Sequence, residues 1–277
     1  MVRPMPEGDA VWRTARRLDQ ALSGERLLAT DLRVPSLATI DLSGAHVLGT
    51  TARGKHLLTR LTHPEHGALS LHTHLKMEGS WQIYRPDQRW RRPAHLARAV
   101  LTAVPAVAVG FSLGIVELLA TADEPARLEH LGPDLLGSDW DPQEAVRRLR
   151  IEPSRPIWSA LLDQRSLAGL GTIYAAETCF LLGVHPRCPV SDVPDLARLV
   201  NRAQQLLDFN KTQGSAITTG DRREPLWVYR RDRRPCLRCR APIVAQSFDT
   251  ADGPGAKPRE QRARAAYWCP RCQPLPG

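Results

Sequence analysis

Two periods of apolar residues alternate along this chain. Asp9 to Leu22 carries Val11, Ala15, Leu18 and Leu22 at helical spacing, with Gly24 just past the end. That pattern predicts an amphipathic helix capped by Asp9. From about Leu27 to Ala120 the runs are short and separated by Gly and Pro: His56 to Leu61, Ala68 to His74, Trp81 to Tyr84, Arg98 to Val104 and Val107 to Leu113. Runs at such close spacing predict a β-sandwich or distorted barrel. Ala99 to Ala120 is almost wholly apolar, but Pro105, Gly110, Gly114 and Glu117 interrupt it and its valines are β-branched. Two or three buried strands are expected there, not a membrane span. Beyond Asp123-Glu124-Pro125 the helical period returns. Pro142 to Leu149, Trp158 to Arg165, Ile173 to Leu182 and Pro194 to Asn210 predict helices. Leu167-Ala168-Gly169-Leu170-Gly171, between the second and third, has the glycines of a turn.

The last segment is patterned by cysteine. Cys236-Leu237-Arg238-Cys239 and Cys269-Pro270-Arg271-Cys272 are two CxxC pairs, the soft thiolate set that closes a tetrahedral structural zinc site. The polar, Gly/Pro-rich stretch Asp249 to Pro258 between them predicts an insertion at a hairpin tip, tolerable because loop length costs little. Cys179 and Cys188 follow no ligand spacing, and Cys179 lies on an apolar helix pattern. Thiolate zinc suits a reducing cytoplasm, and Met1-Val2-Arg3-Pro4 lacks the apolar core of a signal peptide. The chain of 277 residues has a formal net charge of +9. Its arginines bunch around the cysteines, from Arg222 to Arg240 and again at Arg259, Arg262, Arg264 and Arg271. That distribution favours a nucleic-acid partner.

The other end offers chemistry. If translation starts at Met5 and that residue is trimmed, Pro6 presents a secondary α-amine. Such an amine has a pKa near 8, so about a tenth is neutral at pH 7, against well under about one part in a thousand for lysine. Only the neutral amine attacks a carbonyl, and a secondary amine gives an iminium that is already cationic. Glu7 beside it is a ready proton carrier. Pro-Glu-Gly is also an ordinary turn ahead of a helix, and Met1 to Pro4 would bury the amine in a peptide bond.

Met5-Pro6-Glu7-Gly8, the pair Leu161-Leu162-Asp163-Gln164 and Ala168-Gly169-Leu170-Gly171, and the finger Tyr267-Trp268-Cys269-Pro270 together resemble the formamidopyrimidine-DNA glycosylase / endonuclease VIII family, with the endonuclease VIII branch the nearer. The resemblance runs from Met5 to the end. It implies a multidomain α+β protein: an N-terminal β-sandwich with a leading helix over residues 5–122, a helix–two-turn–helix domain over 123–224 and a zinc ribbon over 225–277. It implies a cytoplasmic, nucleoid-associated monomer acting on double-stranded DNA with damaged bases or abasic sites. Pro6 would be the nucleophile at the sugar C1′ and Glu7 the acid/base. Lys55, in Arg53-Gly54-Lys55-His56, would contact phosphate beside the lesion, and Arg264 would grip the backbone next to the flipped nucleotide. Cys236, Cys239, Cys269 and Cys272 would hold the zinc. The wedge that fills the vacated stack is expected near Lys76-Met77-Glu78, with Met77 either the intercalator or ordinary core filler.

The chain departs from the family at two positions. Thr172 stands where an Asn usually binds phosphate, and Ala10 stands where a second glutamate is common. Oxidised pyrimidines are the favoured lesion class. The alternatives are a catalytically silent damaged-DNA binder on the same scaffold and a zinc-ribbon RNA or transcription accessory protein, and the latter leaves Pro6-Glu7 unexplained. His72 and His74 alternate on one strand face and are expected to be satisfied polar side chains, without a metal.

Overall fold

The computed structural model describes residues 6–249 and 263–275; Met1 to Met5 and most of the Asp249-to-Pro258 insertion lie outside them. The chain forms two compact units that divide between Glu129 and His130.

The first unit opens with α1, Gly8–Leu22, whose stripe Val11, Ala15, Leu18 and Leu22 is buried as the periodicity requires. The helix begins one residue earlier than expected. Asp9 is inside its first turn, paired with Arg13 at 3.0 Å, and Glu7 occupies the cap position in extended backbone. Eight strands follow: β1 (Leu27–Leu32), β2 (His46–Arg53), β3 (His56–His63), β4 (Gly67–His74), β5 (Ser80–Tyr84), β6 (Ala97–Ala103), β7 (Val107–Phe111) and β8 (Ile115–Ala120). They make two antiparallel sheets, ordered β1-β6-β7-β5 and β2-β3-β4-β8. The apolar run from Ala99 to Ala120 therefore becomes parts of three strands. No helix among the described residues is long and apolar enough to cross a membrane. Leu57, Leu61, Leu71 and Val116 point from one sheet into a core shared with Leu101, Ala108 and the α1 stripe. A short helix α2 (Glu124–Leu128) closes the unit, and Arg60 holds Glu124 at 2.7 Å.

The second unit contains α3 (Pro142–Leu149), α4 (Ile157–Leu162), α5 (Thr172–Leu181), α6 (Leu196–Asn210) and the hairpin of β9 (Val244–Asp249) with β10 (Ala263–Trp268). Helix α4 stops at Leu162, three residues short of the apolar pattern. Asp163 turns to extended backbone, and its carboxylate takes the N–H of Arg165 and the guanidinium of Arg155. Helices and ribbon share one core: Trp158, Tyr174 and Phe180 pack in the same cluster as Cys236, Ile243, Ala266 and Trp268.

One buried carboxylate organises this junction. Glu177 of α5 is 0% exposed and accepts the N–H groups of Trp227, Val228 and Tyr229 at 2.8–2.9 Å, plus the Thr218 hydroxyl. Burial pushes its carboxyl up, and those four donors pull the other way. A carboxylate is the acceptor that can satisfy three successive backbone donors at once. Glu177→Ala is expected to cost about 3 kcal/mol or more in urea unfolding, because three buried N–H groups lose their partner, whereas Glu177→Gln keeps an acceptor and costs less. A loss below about 1 kcal/mol for the Ala variant would contradict this role.

Candidate functional site

In the first unit, the two elements that carry candidate chemistry converge by geometry. Asp19 of α1 accepts the N–H of Thr50 in β2 at 2.9 Å, and the N–H of Gly24 bonds to Val47 O at 2.8 Å, so helix and strand run antiparallel. Back from Asp19 to Gly8 the helix covers about 16 Å. From Thr50 to Lys55 the strand also covers about 16 Å. The start of α1, with half-buried Pro6 and buried Glu7 (1% exposed), thus reaches the end of the sheet that carries Lys55.

Lys55 sits in the two-residue turn joining β2 to β3, flanked by the pair Arg53 and His56. Gly54 supplies a φ of 57° at the first central position, which is cheap only for glycine and gives the turn of a tight hairpin. His56 pairs with His74, so the loop after β4 emerges beside this turn. That loop, Leu75 to Gly79, holds Met77, which is 48% exposed and therefore does not fill the core. Gly79 closes the loop by bonding to Leu75 O, and a Cβ there would lie 2.3 Å from that oxygen.

A polar row crosses the outer face of the same sheet. His56 Nδ1 and His72 Nε2 share a hydrogen bond at 2.8 Å. His72 Nδ1 lies 3.2 Å from Glu117, and Arg127 forks onto Glu117 at 2.9 Å. The expectation of satisfied histidines holds for His72 and also for His74, which accepts the N–H of Lys76. Burial, with Lys76 and Lys55 nearby, pushes His74 down to about 3, so it is neutral at physiological pH. The carboxylate and third histidine that satisfy them stand far away in sequence, where spacing arguments do not reach.

Arg92 is the residue that sequence reasoning missed. It donates to Ser80 Oγ at 2.9 Å, to Glu78 O at 3.4 Å and to Ser112 Oγ at 3.3 Å, and it lies over the Phe111 ring. It thereby ties the Met77 loop to the β7–β8 turn. Its only sequence signal was membership of a basic run, Arg89 to Arg92.

In the second unit, Thr172 is the first residue of α5 and is buried. The turn before it is braced by Gln164, which accepts the Gly169 N–H at 3.0 Å and donates to Leu162 O and Leu170 O. Arg264 lies on β10, opposite Phe248, with its side chain half-buried. The sulfurs of Cys236, Cys239, Cys269 and Cys272 all lie within 4.8 Å of one another. Four thiolates at about 2.3 Å from a tetrahedral centre would be spaced slightly closer than that, so the set fits one metal ion. The electrostatics agree. The Ala241 N–H holds the Cys239 thiol down at about 7, while burial pushes Cys272 up to about 12, and a dication is what lets such crowded thiols ionise together.

The formamidopyrimidine-DNA glycosylase N-terminal domain matches residues 5–111 and that family's H2TH domain matches residues 131–219. A Streptomyces coelicolor protein named "Probable endonuclease 8 2" is 48% identical, over 99% of this chain and 97% of its own length. The "DNA-(apurinic or apyrimidinic site) lyase Nei2" of Mycolicibacterium smegmatis is 43% identical over 97% of this chain and 99% of its own. The crystal structure of Lactococcus lactis formamidopyrimidine-DNA glycosylase on DNA containing an abasic site superposes with a TM-score of 0.77 at 22% identity, covering 97% and 99% of the two chains. Sandwich, two-turn helix pair and four-cysteine ribbon thus define a repair-glycosylase fold. The chain belongs to the formamidopyrimidine-DNA glycosylase family, with relatives named endonuclease 8 at 44–48% identity.

Removing the Arg92 clasp should loosen the Met77 loop ahead of the rest of the molecule. Arg92→Ala is expected to lower stability by only about 1–2 kcal/mol. Amide exchange in residues 75–80 should rise at least about tenfold over that of β3. Uniform exchange across the sandwich would show that the clasp does not hold this loop.

Proposed function

We propose that this protein is a base-excision DNA glycosylase with abasic-site lyase activity, acting through the amine of Pro6. The observation that carries the reading is the buried Glu7 beside Pro6 at the head of a helix packed firmly on the sheet, at the end where the Lys55 turn lies. A nucleophile on a chain terminus works only if the terminus is immobilised. The names of the relatives at 43–48% identity support the same chemistry.

The reaction follows from these groups. The damaged nucleotide leaves the stack at a cost of a few kcal/mol. The neutral Pro6 nitrogen attacks the sugar C1′. Glu7 delivers a proton that helps open the sugar, and the base departs with the C1′–N bond pair. The resulting iminium acidifies the C2′ proton, whose loss expels the 3′ phosphate, and a second elimination expels the 5′ phosphate. Water then hydrolyses the iminium and frees Pro6. Lys55, Thr172 and Arg264 contact phosphate, and Met77, exposed on its loop, enters the vacated stack. Oxidised pyrimidines are the proposed lesion class. Cys236, Cys239, Cys269 and Cys272 hold one structural zinc, which takes no part in the chemistry. A catalytically silent binder on this scaffold is the second reading, and it corresponds to a chain that keeps residues before Pro6.

Protein beginning at Pro6 is expected to be trapped on abasic DNA by borohydride, with the cross-link mapping to Pro6. Protein forced to keep Val2 to Met5 should bind but not be trapped. Glu7→Gln should slow base release strongly and cleavage of a pre-formed abasic site less, since that site has no base to expel. Equal trapping of the extended chain would make an internal lysine the nucleophile and sink the Pro6 assignment.

The metal reading is checked by elemental analysis of reduced protein, which should give about one zinc per chain. Cys269→Ser should lose the metal and, because Cys269 is in the helical core, lower the unfolding midpoint of the second unit as well. Absence of zinc from the reduced wild type would remove this site.

A further inference from the structure

The polar row on the first sheet ends at the Lys55 turn, and strand register sets its direction. His72 of β4 stands opposite Leu58 of β3 on one side and Glu117 of β8 on the other. Its Nδ1 reaches straight across to Glu117 at 3.2 Å, but its Nε2 reaches diagonally to Nδ1 of His56 at 2.8 Å. His56 is the first residue of β3 and follows Lys55 directly. At the other end Arg127 of α2 forks onto Glu117. Helix α2 is itself fastened to the sheet by Glu124, which takes the Arg60 guanidinium and the Ser70 hydroxyl. An unbroken chain of contacts thus joins α2, at the close of the first unit, to the turn that carries Lys55.

Donors and acceptors along this chain have one consistent arrangement. Arg127 holds the Glu117 carboxyl below its ordinary range, so it is ionised and can only accept. His72 Nδ1 therefore carries a proton. Burial holds His72 below its ordinary value, so the ring is neutral at physiological pH and Nε2 keeps its lone pair. His56 Nδ1–H is then the donor, and both nitrogens of His72 are spent inside the row. Folding alone does not ask for a histidine here. His72 is 0% exposed and the facing Leu58 is buried too, so an apolar side chain would suit the strand at less desolvation cost. A buried polar network adds little net stability, but it admits a single arrangement of its members. What this one fixes is His56, and with it the tip of a hairpin whose strands are joined by two residues.

We propose that His72 is a positioning residue for DNA binding: keyed between Glu117 and His56, it holds the β2–β3 turn where Lys55 meets a DNA phosphate. The inference rests on the reading of Lys55 as a phosphate contact. His72 is buried away from any ligand and acts through His56 and the turn. A lysine ammonium rides on a flexible four-carbon stem, so less ordering is lost on binding when the backbone beneath it is already fixed.

The test uses the full, zinc-loaded chain and a labelled duplex carrying a tetrahydrofuran abasic analogue, with affinity measured from about 50 to about 400 mM NaCl. Two amides separate the two links of His72. His72→Asn sets its amide near the Nδ1 position, within reach of Glu117 but not of His56. His72→Gln sets it near the Nε2 position, where it accepts from His56. Lys55→Ala should flatten the slope of log affinity against log salt by about 0.9. His72→Asn should flatten it by roughly half as much and weaken binding at least about threefold, while His72→Gln stays within about 1.5-fold of wild type. In the Lys55→Ala background His72→Asn should have no further effect, since the group it positions is gone. Amide exchange at residues 53–56 should rise in the asparagine variant and not in the glutamine variant. Should the asparagine variant not fold, Glu117→Ala, at a partly exposed position, removes the same support and carries the same expectation. Equal affinities of the two amide variants overturn the proposal. So does a loss that persists undiminished without Lys55, which would make His72 structural only. An unchanged slope for Lys55→Ala removes the phosphate reading of Lys55 and this proposal with it, whereas a normal Lys55 effect beside a silent His72→Asn sinks the positioning role alone.

Discussion

The chemistry proposed for Pro6 needs that residue held still, and here the restraint is the burial of one helical stripe. Val11, Ala15, Leu18 and Leu22 seat α1 in the sandwich core, and Asp19 pins its far end to Thr50. Without that seat Pro6 and Glu7 would sweep a wide volume, and the proposed attack on a sugar would be rare. The antiparallel run of helix and strand then brings Lys55 to the same end. The site is a by-product of how the first helix packs.

Much of this was legible in the chain because it is local. The α1 stripe, the breaks in the apolar run before β8 and the paired CxxC motifs all announce themselves within a few residues. The boundaries that slipped did so where a side chain competed with the backbone period. Asp163 ends α4 before the apolar pattern does, and Asp9 prefers Arg13 to the cap. What sequence could not show is long-range pairing. Glu117 completes His72 from 45 residues away, Arg92 reaches back to Glu78 and Ser80, and Glu177 captures backbone donors 50 residues on. No periodicity records such partners, since each is set by strand register or by a core that forms only once the chain has closed.

The two units manage polar groups differently. In the first, histidines and carboxylates lie on the outer face of a sheet in a row whose members satisfy each other, and the opposite face carries the apolar core with the hydrogen-bonded hydroxyls of Thr50, Thr59 and Thr73. In the second, a single carboxylate is sunk fully into the core and is tolerated because it meets four donors. Burial without that complement would cost more than the junction could bear.

The sharing of one core by helices and ribbon has a bearing on modularity. A four-cysteine ribbon is commonly pictured as a cassette clipped to the end of a protein. Here Gln273 bridges the Cys269 N–H to Val184 O, Trp268 packs on His185, and Cys236 and Cys269 line the same interior as Tyr174. A chimera joined between Glu129 and His130 would leave this core whole. One that exchanged the ribbon alone would have to rebuild the wall against which α5 rests, so the finger and the two-turn helix pair stand or fall as one body.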